Sequence, residues 1–183
     1  MKRLIFALLV SGAIAPSSNR ELRPLREEMK RLGVRSALVI ASQAVDDRPV
    51  WSPDADVLAA NVDGQWRTID LRSVHLEKQD WRHGQSVAVV KAAALETRIA
   101  ESMIRTWARA AKFGARKVTS RDGTILELKQ DDLGTSFVIT KKGEKAETLW
   151  TSKLENCHSL ALSRDERYVA FICELNGVIV TAL

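Results

Sequence analysis

Apolar residues recur with a different period in successive stretches of the chain. Met1-Lys2-Arg3 leads into a largely apolar run from Leu4 to Ala15, which Pro16-Ser17-Ser18 closes. A basic start, a short apolar stretch and a small-residue exit are the format of a secretory signal. The run is too short to cross a bilayer core, which takes roughly 20 residues. From Asn19 to Leu32, Leu22, Leu25, Met29 and Leu32 fall three and four apart, predicting a short amphipathic helix that Gly33 ends. Val34 to Ala41 contains Ala37-Leu38-Val39-Ile40, the run of a buried strand. A second helical period, carried by Ala92, Leu95, Ile99, Met103, Trp107 and Ala110, predicts a long helix from Lys91 to Phe113 with Glu101 and Arg105 paired on its outer side.

Beyond Arg116 the pattern predicts an antiparallel meander. Lys117-Val118-Thr119 and Ile125 to Leu128 flank Arg121-Asp122-Gly123, a hairpin signal, and further strands follow at Phe137 to Thr140, Thr148 to Trp150, Ser159 to Ser163, Tyr168 to Leu175 and Val178 to Leu183. All four prolines lie at or before position 53, so none interrupts these strands. The fold class expected is α+β, predominantly antiparallel β, with one long and one short helix.

Composition narrows the classes. At 183 residues, with 45% hydrophobic and 28% charged residues, the chain has the make-up of one folded domain. The Ala-x-Ala ending at Ala15 would place Pro16 after the cut, so cleavage is expected after Ser17. Residues 1–17 then form a signal peptide and 18–183 a single domain containing helix 91–113. Removing the leader takes Lys2 and Arg3 and no acid, so the net charge of +5 falls to +3 over 166 residues. That weakens a nucleic-acid reading, and the basic residues Arg105, Arg109 and Lys112 suit a helix C-terminus. With no cysteine near the exit, no lipid anchor is expected.

Two segments echo each other about 111 residues apart. The first is Val50-Trp51-Ser52-Pro53-Asp54, Val57-Leu58-Ala59-Ala60, and Asp63-Gly64 before Gln65 to Ile69. The second is Ala161-Leu162-Ser163-Arg164-Asp165, Tyr168-Val169-Ala170-Phe171, and Asn176-Gly177 before Val178 to Thr181. In each, a Ser-x-Asp corner can hold a tight turn by bonding nearby backbone N–H groups. The pattern resembles blades of TolB-type β-propellers, in which a Ser-Pro-Asp turn separates inner strands; Ser163-Arg164-Asp165 departs at the middle residue. Once the helices are set aside, the remaining length amounts to about three blades, too few for a closed ring. The resemblance implies an open, propeller-like arrangement of two or three blades.

Candidate chemistry is sparse. His75, His83 and His158 fit no metal-ligand or nucleophile motif, so no catalytic residue, cofactor or metal is expected. Cys157 and His158 are adjacent, and on a regular strand their side chains point apart. If Ser163 faces Tyr168, Cys157 falls beside Cys173 or Glu174; a one-residue bulge would set the cysteines opposite each other, so a Cys157–Cys173 disulfide is expected. Trp81-Arg82-His83, in the least periodic stretch, offers residue types that dominate interface hot spots, or else Trp81 folds back onto the core.

These features predict a non-catalytic protein exported to the periplasm that binds another protein, with no nucleic-acid partner and no stable membrane anchor. In size and export the chain is similar to periplasmic immunity proteins that neutralise cell-wall amidase effectors of type VI secretion. That likeness implies an inhibitor whose projecting loop plugs a toxin's cleft. Two alternatives stand beside it: a small secreted hydrolase using scattered residues such as Asp54, Asp80 and His83, and a subunit of a larger envelope propeller.

Overall fold

The computed structural model describes residues 23–32, 37–42, 45, 48–54, 57–62, 64–73, 87–91, 95, 99–109, 114–174 and 176–183. The signal segment 1–17 lies outside them. Helix α1 spans Arg23–Arg31, inside the expected 19–32, with Pro24 in its first turn and Lys30 and Arg31 in its last. It buries Met29 and lays Leu25 and Leu32 against the same cluster.

The strands form three sheets. β1 (Ala37–Ala41) and β5 (Val87–Lys91) share one with β10 (Cys157–Leu162), β11 (Tyr168–Cys173) and β12 (Gly177–Ala182), in the order β10-β11-β12-β1-β5. A second holds β2 (Val50–Trp51), β3 (Val57–Val62) and β4 (Gln65–Asp70), and a third holds β6 (Lys117–Thr119), β7 (Ile125–Asp131), β8 (Gly134–Thr140) and β9 (Glu147–Ser152). All pairings between these strands are antiparallel except β1 with β5, which is parallel. The segment after Arg116 is therefore antiparallel as expected, but it divides between two sheets after β9.

The first sheet is the middle layer. On β11, Val169, Phe171 and Cys173 join Leu126, Leu128 and Phe137 of the third sheet, and the Phe137 and Phe171 rings lie 6.2 Å apart. The alternate residues Ala170 and Ile172 join Leu58, Ala60, Val62 and Ile69 of the second. Burial on both faces explains why Val169 to Cys173 reads as a continuous apolar run. The far face of the second sheet, with Val50, Ala59 and Trp66, is covered by Ile104 and Ala108 of α2 (Glu101–Ala108).

The long helix expected over 91–113 is corrected. Lys91 ends strand β5, and among the described residues of this stretch the helix runs Glu101–Ala108. Upstream, Ala100 is extended (ψ 134°), and the Leu95 carbonyl accepts a hydrogen bond from the Arg67 guanidinium at 2.9 Å. Leu95 is buried against the second sheet, so tertiary contacts take over the apolar period there. The Glu101–Arg105 pair forms at 2.6 Å.

Candidate functional site

Each sheet contributes one Ser-x-Asp corner, and the three gather at one end of the stack. In the second sheet, Ser52 N donates to Val57 O at 2.8 Å and Val57 N to Ser52 Oγ at 3.1 Å. In the middle sheet, Ser163 N donates to Tyr168 O at 2.9 Å and Tyr168 N to Ser163 Oγ at 3.0 Å. The two echoing segments thus share their bonding, position for position. A third copy, Ser120-Arg121-Asp122, turns β6 into β7: Ser120 N donates to Thr124 O at 2.8 Å and Thr124 N to Asp122 Oδ1 at 2.9 Å. Sequence reasoning read that stretch only as a hairpin. The missed signal was its spacing: Ser120 and Ser163 are 43 residues apart, and each is followed 14 residues later by a glycine that opens a strand, Gly134 and Gly177.

The outer corners latch onto the central one. Arg121 N donates to Glu166 Oε1 at 2.8 Å and Arg121 Nη2 to Arg164 O at 2.7 Å. From the other side Trp51 Nε1 donates to Ala161 O at 3.0 Å while its ring stacks on Tyr168. The Ser120 hydroxyl and the Thr124 amide hold the Asp122 carboxyl below the usual range. For Asp165, burial acts upward but is outweighed by hydrogen bonds from Ser163 and Arg167, and the net direction is down.

The disulfide lies at the opposite end. Cys157 and Cys173 are bonded and directly opposite on β10 and β11, Cα atoms 4.1 Å apart. The register slips between His158 and Ala161, where Ser159 sits at φ 56°, so the expected one-residue bulge is present. The bulge also turns adjacent side chains toward each other: His158 Nδ1 is 2.8 Å from Ser159 Oγ, and His158 Nε2 is 3.9 Å from Glu174 Oε1. Ser159 is fully buried, and its Oγ accepts the Gly114 N–H at 2.9 Å. Its hydroxyl anchors the chain that enters β6.

Beside the disulfide, the β7–β8 turn and the 153–156 link between sheets enclose an open cleft of about 370 Å³ lined by Gln130, Asp131, Asp132, Leu133, Gly134, Lys153, Glu155 and Asn156. Asn156 Nδ2 donates to Glu174 Oε2 at 2.9 Å, which adds a further carboxylate to this end.

The structure does not unite the other sequence candidates. Trp81, Arg82 and His83 lie outside the described residues, as does Asp80. Asp54 is exposed in the Ser52 corner. Among the described residues no group of histidine, cysteine and carboxylate side chains could hold a metal, and no helix is long and apolar enough to cross a membrane. Compared with known proteins, the chain matches no family model, no curated protein and no solved structure.

Proposed function

We propose that the chain is an exported, non-catalytic protein-binding protein, an immunity or inhibitor protein that blocks a cell-wall-degrading effector of the amidase type. Its three stacked sheets, each with a Ser-x-Asp corner, are on this reading an open, propeller-like body. The observation that carries the proposal is the Cys157–Cys173 disulfide. Such bonds persist in oxidising compartments, and this one follows a leader-like N-terminus. The Ser-x-Asp corners and Ser159 spend their side-chain oxygens on backbone N–H groups, a structural use. Affinity capture from a periplasmic extract, followed by lysis protection against the captured enzyme, tests the reading. Recovery of no protein partner removes it.

The hydrolase alternative has one observation in its favour, the contact of His158 with Ser159. A serine-directed phosphonate probe that labels the folded wild type but not His158→Ala would support it. Loss of a measured hydrolytic activity on His83→Ala would support the version built on Asp54, Asp80 and His83.

A further inference from the structure

Of the four asparagines in the chain, Asn176 alone is followed by glycine. The pair sits where the β11–β12 turn enters β12, and Asn176 N donates to Cys173 O at 3.1 Å. That bond holds the main chain only. The Asn176 side chain is partly exposed, and its amide makes no hydrogen bond among the described residues. Two comparable positions are pinned. Asp122 also precedes a glycine, but its carboxylate accepts from the Ser120 hydroxyl and, at 2.9 Å, from the Thr124 N–H. Asn156 donates to Glu174 Oε2 at 2.9 Å and is followed by Cys157, whose Cβ shields the peptide nitrogen. Gly177 has no side chain to hinder its nitrogen from approaching Cγ of Asn176.

We propose that Asn176 is a modification site, where the β11–β12 turn deamidates through a succinimide and passes to isoaspartate as the protein ages. The Gly177 nitrogen gives its proton to hydroxide and attacks Asn176 Cγ; the Cγ–Nδ2 bond breaks, and ammonia leaves with a proton taken from water. Water then opens the five-membered ring, at Cγ to give aspartate or at the main-chain carbonyl carbon to give isoaspartate. In sum one water is consumed and one ammonia released, with no oxidant or reductant. Local opening of the hairpin end gives the nitrogen the freedom to attack. Reclosure differs between the products. Aspartate keeps the original main chain, whereas isoaspartate routes it through Cβ and Cγ and adds one atom just ahead of Gly177. The backbone there has no slack, since even a Cβ on Gly177 would lie 2.0 Å from Ile40 O and 2.8 Å from Ser42 N. Directly beyond, Val178 pairs with Ile40. Isoaspartate therefore loosens the seam between β12 and β1 in the middle sheet.

Ageing the folded full chain in mildly alkaline buffer, followed by peptide mass mapping and enzymatic methylation of isoaspartate, tests it. The peptide carrying Asn176 is expected to gain the mass of an amide-to-acid exchange at least tenfold faster than the one carrying Asn156. The gain should slow at least tenfold in mildly acidic buffer, and isoaspartate should exceed aspartate among the products. Separated by ion exchange, the isoaspartate form is expected to melt below fresh wild type. Asn176→Asp, which has the charge without the extra main-chain atom, should melt close to wild type, and Asn176→Gln should keep its Tm on ageing. No mass gain at Asn176 over a period in which a synthetic peptide of residues 170–183 converts overturns the site. Equal rates at Asn156 and Asn176 overturn it as well. An isoaspartate form with the wild-type Tm, or an Asn176→Asp variant that melts as low as the isoaspartate form, overturns the loosening of β12 from β1.

Discussion

Single residues at the two ends of the stack have unequal tolerance. A Cβ on Gly177 would lie 2.0 Å from the Ile40 carbonyl oxygen, and one on Gly134 would lie 2.0 Å from that of Ser152. In both cases the obstacle is backbone, and φ is positive besides. Gly143, at φ +80°, has open space around it. Gly177→Ala should therefore lose ~4 kcal/mol or more of stability, and Gly143→Ala only about 1–2 kcal/mol for its left-handed backbone; urea unfolding of the two variants separates the contributions. Asp122 and Asp165 give the acid limb its shape. Both carboxyls are held below the ordinary aspartate value, so their stabilisation is complete above that value and is lost as pH falls through the lower folded values. Unfolding midpoints measured from about pH 5 to about pH 2 should drop less steeply for the Asp122→Asn, Asp165→Asn double variant than for wild type. Equal slopes would mean that the corners do not hold these carboxylates. Of these residues, Asp165 was legible as a turn former in sequence. Asp122 was read only as part of a hairpin because Gly123, a stronger short-range turn signal, follows it directly.

At the scale of elements, local pattern was reliable where strand partners are neighbours in sequence and poor where they are not. The hairpins β6–β7 and β11–β12 and the cysteine register all follow from alternation and turn residues. The same turn arithmetic located the bulge, because a one-residue offset was the only way to set Cys157 opposite Cys173. What remained illegible was β5: Val87 to Lys91 pairs with β1 in parallel, and nothing local in a sequence marks a parallel partner some fifty residues away. The helix over 91–113 was overextended for the same reason, since Leu95 and Arg67 meet only in the folded state. The candidate site was less legible still. The Ser120-Arg121-Asp122 corner stands out only once the β6–β7 hairpin is set beside the Ser52 and Ser163 corners. The disulfide closes a loop with a sequence separation of 16 residues, so Cys157→Ala, Cys173→Ala should lower stability by about 3 kcal/mol. Urea unfolding of oxidised, reduced and double-variant protein checks this, with reduced protein and variant expected to agree.

At the scale of the whole molecule, the middle sheet joins distant parts of the chain. Leu38, Val39 and Ile40 of β1 pair with Val180, Ile179 and Val178 of β12, so an early strand completes a sheet begun by late ones. In the third sheet the place beside β8 is filled by β9, which follows directly in sequence. Deleting residues 177–183 would strip β11 and β1 of the strand between them, and the shortened chain should show no cooperative unfolding transition by circular dichroism. The arrangement also sets a clock. β1 leaves the ribosome roughly 140 residues before β12 is made, an interval of about 7–28 s at 5–20 residues per second. Throughout that time the Leu38-Val39-Ile40 segment has no β12 to receive it, and the chain stays open along its future centre. Closure of the middle sheet therefore waits for β12, the last of its strands to be made.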